Sequence, residues 1–142
     1  MAATKDRRVV LSTLWIFVIL NYAYADIFGL FFNPVLQKEE HAQLLSGNVA
    51  GIQITQGFVL VTAILMETAI AMVLLSRLLP HRANRWANIV VGVLHTALVI
   101  WSTTSGPVNV FYAFFVVIEA ACTAFIVWYA WTWSRSSVVT AA

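Results

Sequence analysis

The sequence has little charge and a single cysteine, and each scarcity excludes a class of protein. Of its 142 residues, 10% are charged and 61% are hydrophobic, whereas about 25% of residues are charged in ordinary soluble domains. A soluble domain of this size would need a far more polar surface. The lone Cys122 excludes an intrachain disulfide and a paired-cysteine redox motif. These scarcities favour a membrane protein.

Several functional motifs are also missing from the sequence. The basic residues do not cluster with exposed aromatic residues, so we expect no nucleic-acid partner. The sequence contains no nucleophile–base pair, phosphate-binding loop or nucleotide fingerprint. This lack favours a protein without enzymatic activity.

The hydrophobic residues are concentrated in four blocks, each long enough to cross a bilayer. A spanning helix needs about 20 residues, and we place the spans at about residues 9–32, 52–79, 86–104 and 108–133. Pro80 and Pro107 fall between blocks and mark their ends. Asn33-Pro34 predicts the start of a short helix, Val35 to Leu45, outside the membrane. The predicted fold is an all-α, integral membrane four-helix bundle in a single domain.

The first block has a second interpretation, as a secretory signal. Ala23-Tyr24-Ala25 has the small-x-small form of a cleavage site and follows a basic start and an apolar core. The apolar character resumes at Ile27, however, and the whole block has spanning length. We therefore expect the first helix to be retained, with cleavage after Ala25 as the alternative.

Lysine and arginine are distributed unequally over the two sides of a four-span arrangement. Only Lys38 lies on one side. The other side carries Lys5, Arg7, Arg8, Arg77, Arg82, Arg85 and Arg135. Because cytoplasmic flanks are enriched in basic residues, both termini and a basic turn, His81 to Arg85, are expected in the cytoplasm. The predicted location is the plasma membrane.

Ionisable side chains near the middle of the spans are the candidate functional residues. At a rise of about 1.5 Å per residue, Glu67, His95 and Glu119 lie near the midplane of a ~30 Å hydrocarbon core. Asn21 has a similar depth and is expected to bond another helix. Asp26 lies nearer the outer interface. Such residues usually face a bundle interior or a wet cavity.

Helical spacing groups these residues into stripes that we expect to point inward. The stripes are Gln53, Gln56, Leu60 and Glu67 in the second span, Asn84, Asn88, Gly92, His95 and Ser102 in the third, and Tyr112, Glu119, Cys122, Ile126 and Tyr129 in the fourth. The first helix has one face with Asn21, Tyr24 and Phe28 and a neighbouring face with Trp15, Tyr22 and Asp26. The prediction is that Glu67, His95 and Glu119 meet.

Three segments carry a resemblance to known proteins: LSTLWIFVILNYAYADIFGLF, LPHRANRWANIVVGVLHT and FYAFFVVIEAACTAFIVWYAWTW. They resemble a family of small four-helix bacterial membrane proteins without assigned activity, and the layout is distantly similar to the DoxX-like membrane proteins. The resemblance implies the four-span fold in a bacterial inner membrane and provides no catalytic residues. Some DoxX relatives are linked to quinone or thiol redox systems, and a single cysteine argues against thiol chemistry.

Three functions remain open for Glu67, His95 and Glu119, with Asn21 and Asp26 beside them. The first is a binding or transport protein in which a proton and a cationic or polar ligand compete for one carboxylate. A translocation path would need a homo-oligomer, because four helices enclose little volume. The second is a quinone-linked membrane subunit of a redox complex. The third is a structural or partner-binding membrane protein without a ligand.

Metal and haem sites are weaker alternatives. Two carboxylates and one imidazole are acceptable metal ligands, but helical ExxH and HxxxH spacings are absent. A b-type haem would need a second histidine at depth, and His41 and His81 fall between the predicted spans. We therefore expect no bound cofactor and the lipid bilayer as the main partner.

Overall fold

A computed structural model describes residues 6–32, 42, 45–49, 52–104 and 110–133 of the chain. Its helices are α1 (Arg7–Phe32), α2 (Gln56–Leu78), α3 (His81–Ser102) and α4 (Val110–Trp131). Two short antiparallel strands, β1 (Asn48–Val49) and β2 (Ile52–Gln53), pair between α1 and α2. All four helices are long and apolar enough to cross a membrane. The described residues thus confirm the prediction of a helical chain with four helices of spanning length.

The four helices pack as a ring. The α1 helix contacts α2 and α4, and α3 packs extensively on α4 and more loosely on α2. Hydrogen bonds between Arg7 and the backbone of Tyr129, and between Asn84 and the backbone of Ser76, bring the same ends of the helices together. We call this end, where α1 and α3 begin, the basic end, and the opposite end the distal end. The apolar core lies mostly toward the basic end and contains Leu11, Trp15, Val18, Ala69, Met72, Ile89, Ile126 and Ala130.

The start of α3 differs from the prediction. Residues expected to form a basic turn are the first turns of the helix, which begins at His81 directly after Pro80. The backbone carbonyl of Pro80 accepts the N–H of Asn84 at 2.9 Å. The buried Asn84 side chain also donates to the backbone oxygen of Ser76 on α2. This bond holds the first turn of α3 against α2, so the helix extends past its apolar part and His81 lies in a helix.

The segment before α2 also differs from the prediction. The α2 helix begins at Gln56, because Thr55 caps it through a hydroxyl that accepts the N–H of Phe58 at 3.1 Å. Residues 52 and 53 form β2 instead of the start of a span. Of the short helix predicted for Val35 to Leu45, Ala42 and Leu45 are helical. The rest of that prediction lies outside the described residues.

Candidate functional site

The facing of α3 and α4 agrees with the stripes predicted for them. The buried residues of α3 include Asn84, Asn88, Gly92 and His95. On α4, Glu119 and Ile126 are buried in the same way. Polar residues that recur at helical spacing in an apolar span therefore identified the interior faces of these two helices.

The facing predicted for α2 is wrong. Its polar residues Gln56 and Glu67 are exposed, and its buried residues are Ala69, Met72 and Ser76. At about 100° per residue, Glu67 lies roughly 180° around the helix from Ser76. The interior face of α2 is lined instead by small and apolar residues, which pack closely against α1. Glu67 therefore does not meet His95 and Glu119, and no group of three metal-ligating side chains forms among the described residues.

A buried hydrogen-bond network joins three helices near the basic end. Its members are Trp15 on α1, Ser76 on α2, and Asn84 and Asn88 on α3; we call it the amide network. Asn88 Oδ1 accepts from Trp15 Nε1 at 2.8 Å and from Ser76 Oγ at 3.2 Å. Asn88 Nδ2 donates to the backbone oxygen and Oδ1 of Asn84 at 2.9 and 2.7 Å. Every hydrogen-bonding position of the Asn88 amide is used, so the network has no capacity left there for a ligand.

Serine and arginine side chains form further hydrogen bonds between helices, closer to the basic end. Ser12 Oγ donates to the backbone oxygen of Val73 at 2.8 Å and accepts from Arg77 Nε at 3.0 Å. Arg7 Nη1 donates to the backbone oxygen of Tyr129 at 2.9 Å, and its guanidinium lies 4.6 Å from the centre of the Tyr129 ring. The α1 helix is therefore fixed to both of its neighbours.

His95 lies nearer the distal end, with both ring nitrogens engaged. Nδ1 is 3.2 Å from the Tyr22 hydroxyl, and Nε2 is 3.0 Å from Thr68 Oγ1. Thr68 Oγ1 donates its own hydrogen to the backbone oxygen of Leu65, so it accepts a hydrogen from His95 Nε2. A neutral imidazole then accepts at Nδ1 from the Tyr22 hydroxyl. The Trp15 ring packs edge-on against the imidazole at 5.6 Å.

Glu119 is buried on α4 without a complete set of partners. Its side chain is 6% exposed, and Oε1 has no hydrogen-bond partner among the described residues. The Tyr22 phenol and the Asp26 carboxyl lie within electrostatic range of it. An unsatisfied buried polar group costs about 1–3 kcal/mol, so Oε1 of Glu119 adds nothing to the stability of the bundle. We call Glu119, Asp26 and Tyr22 the carboxyl site.

The two remaining candidates on α1 have different surroundings. Asn21 Nδ2 donates to the backbone oxygen of Phe17 at 2.8 Å within its own helix, and the predicted bond to another helix is not formed with any described residue. Asp26 is exposed and lies one turn beyond Tyr22 on the distal side. Phe28 on α1 packs against Phe115 on α4, and their ring centres are 6.2 Å apart. Phe115 lies one turn from Glu119 on α4. An aromatic pair thus lies beside the carboxyl site.

Tyr22 is a candidate residue that the sequence analysis does not single out. The helical spacing places it on one face of α1 with Trp15 and Asp26, and that face turns inward at Leu11, Trp15 and Val18. The spacing alone therefore contained the signal. Its pairing with His95 could not be read from the spacing, because it depends on how α1 and α3 are placed relative to each other.

Comparisons with known proteins give a family without an activity. The model of a family described as "Family of unknown function (DUF6326)" matches residues 2–140. No curated protein and no solved structure matches the chain.

Proposed function

The chain belongs to this family of unknown function, and we propose that it is a multi-pass membrane protein in which Glu119 binds a proton or a small organic cation in alternation. The observation that carries the proposal is the buried, unpartnered Oε1 of Glu119 within electrostatic range of a second carboxyl, Asp26. Ionisable groups inside spanning helices mark ion and substrate pathways by default.

The proposed setting is the plasma membrane of a bacterium, with both termini and the basic end in the cytoplasm. Four helices of spanning length support a membrane location. The excess of lysine and arginine at the basic end supports the orientation. A DoxX-like character stays part of the proposal, because the resemblance of the sequence implies the same four-span layout. Asp26 then lies on the outer side of Glu119, where a ligand from outside reaches it first.

Exchange follows from the two neighbouring carboxyls. Negative charges repel each other more strongly where water is excluded, and Glu119 is buried. In the proposal, Glu119 therefore carries either a proton or a bound cation beside Asp26. A ligand that brings a positive charge removes the need for the proton and displaces it. The rings of Phe28 and Phe115 would favour an organic cation, because aromatic faces attract positive charge.

Tyr22 joins the carboxyl site to His95. Its hydroxyl bonds His95 Nδ1 and lies within electrostatic range of Glu119. In the proposal, this bond holds the phenol in place, and the proton displaced from Glu119 leaves past the exposed Asp26 carboxyl.

The alternatives fit the geometry less well. A quinone needs a donor for its carbonyl oxygen, and both nitrogens of His95 already have partners. A purely structural role suits the amide network but gives no reason for the open oxygen of Glu119. Glu67 is outside the carboxyl site, and its side chain is exposed on the opposite face of α2 from Ser76.

The test is proton movement driven by a permanently charged cation. Liposomes containing the full chain and the pH dye pyranine receive tetraethylammonium outside. We expect the interior to become alkaline as the cation enters and protons leave. Glu119→Gln should reduce the rate at least tenfold, because an amide keeps the shape but cannot exchange a proton.

Glu67→Gln is the matched control, since Glu67 has a similar predicted depth but an exposed side chain. It should leave the rate unchanged. The proposal is wrong if the native chain moves no protons under these conditions, or if the two glutamine variants behave alike.

A further inference from the structure

The basic end of the bundle contains a second polar site, separate from the carboxyl site. A pocket of about 440 Å³ is lined by His81, Arg82, Arg85 and Trp86. These residues form the first turns of α3. Arg85 lies ten residues before His95, or about 15 Å along the helix axis. The pocket therefore has its own chemistry, independent of Glu119.

Nitrogen atoms in this pocket lack acceptors. Both ring nitrogens of His81 and Nε of Arg85 are buried without a hydrogen-bond partner among the described residues. Buried N–H groups are nearly always paired in folded proteins. Unpaired nitrogens on neighbouring basic side chains indicate that a partner beyond the described residues belongs between them.

Aromatic side chains hold these donors in place without using their hydrogens. The Arg85 guanidinium lies 5.6 Å from the centre of the Trp131 ring, and Trp86 packs edge-on against Trp131 at 6.4 Å. His81 packs edge-on against Trp133 at 4.8 Å. Contact with a ring face positions a cation but leaves its N–H groups free. The donors are thus oriented in advance of binding.

The start of α3 adds a further attraction for negative charge. The residue at its N-terminal cap is Pro80, which forms no side-chain hydrogen bond to the helix. The first N–H groups of a helix carry partial positive charge and bind anions. Here they lie beside Arg82 and Arg85, so the helix and the side chains attract the same kind of ligand.

We propose that this pocket binds a phosphate group. A phosphate offers several strong acceptor oxygens, which match arginine, histidine and backbone donors arranged around one space. The group can belong to an anionic phospholipid at the membrane surface or be free phosphate, and the same donors would hold either. The site does not depend on the function proposed for Glu119.

The experiment measures lipid binding to the full chain in detergent by native mass spectrometry. Phosphatidylglycerol is compared with diacylglycerol of the same acyl chains, which lacks the phosphate. We expect one tight site for phosphatidylglycerol and none for diacylglycerol. Arg82→Gln and Arg85→Gln should each weaken that site about fivefold, the usual effect of one basic residue near anionic lipid.

Arg8→Gln is the matched control, because it removes one positive charge at the same end outside the pocket; it should change the affinity less than twofold. Added inorganic phosphate distinguishes the sources: displacement of the lipid assigns the site to phosphate alone, and retention assigns it to the phospholipid. Equal binding of the two lipids, or an equal loss with Arg8→Gln, overturns the proposal. Helical circular dichroism of every variant excludes misfolding as the cause.

Discussion

The two halves of the bundle treat buried polar side chains in opposite ways. Toward the basic end, the Asn88 amide uses all of its hydrogen-bonding positions and joins three helices. Toward the distal end, Glu119 is also buried, yet its Oε1 has no partner among the described residues. The comparison teaches that a buried polar group holds helices together when all of its hydrogen-bonding positions are filled. When one position is open, the group can accept a further hydrogen bond.

The helix α2 shows the same difference along its length. In its basic half, Ala69, Met72 and Ser76 are buried. In its distal half, every residue from Gln56 to Ile64 is exposed. Leu65 and Thr68 are the first residues of α2 from its start that are not exposed. The basic half is therefore closed by four helices, and the distal half is less covered on the α2 side.

The strongest way to break the comparison is to remove the centre of the amide network. Asn88→Leu deletes two hydrogen bonds to other helices, from Trp15 and Ser76, and two to Asn84 within α3. It should lower the free energy of unfolding by about 2–3 kcal/mol, because interhelical bonds average ~0.6 kcal/mol each and the buried Trp15 Nε1 is left without an acceptor at a cost of about 1–3 kcal/mol. Reversible unfolding in mixed micelles gives this quantity.

Asn21→Leu is the control, because among the described residues Asn21 bonds its own helix alone, through the backbone of Phe17. Its free energy of unfolding should stay within about 0.5 kcal/mol of the native value. If both leucine variants lose the same free energy, the amide network is not what holds the basic half together.

A smaller effect is expected where the two halves meet. Gly92 lies between Asn88 and His95 on the buried face of α3, and a Cβ there would lie 2.7 Å from Val127 Cγ2 and 3.5 Å from the backbone oxygen of Thr123. Gly92→Ala should therefore cost about 1–2 kcal/mol, as overpacked sites do. Gly29→Ala should not lower the stability, because a Cβ there would lie 3.8 Å from its nearest neighbour, Phe111 Cζ. Thermal unfolding of both variants checks this prediction. A Gly92→Ala variant as stable as the Gly29→Ala variant would contradict close packing of α3 on α4.

The sequence predicted the interior of α3 and α4 for a simple physical reason. In those helices the polar residues are the ones that the bundle buries, so Asn84, Asn88, His95 and Glu119 identify the inward face. In α2 the same rule fails, because its inward face consists mainly of small and apolar residues and Glu67 lies opposite. The spacing of residues within one helix shows which residues share a face, but not whether that face points into the bundle.

Contacts between helices explain the remaining differences. The basic residues after Pro80 were predicted to form a turn, since charged residues usually lie outside spans, yet the Asn84–Ser76 bond keeps them helical. The partner of His95 was predicted to be a carboxylate and is instead Tyr22 and Thr68. The hydroxyl groups of Tyr22 and Thr68 satisfy both ring nitrogens of His95. This pairing depends on the relative placement of α1, α2 and α3.

The most direct test of the account is Glu119→Leu, studied for stability and proton movement in the same preparation. Leucine removes an unsatisfied buried oxygen, so the free energy of unfolding should stay equal or rise by about 1 kcal/mol, while tetraethylammonium-driven alkalinisation of liposomes is lost. That result would show a carboxyl kept for function at a cost in stability. A loss of stability as large as that of Asn88→Leu, or proton movement at the native rate, would contradict it.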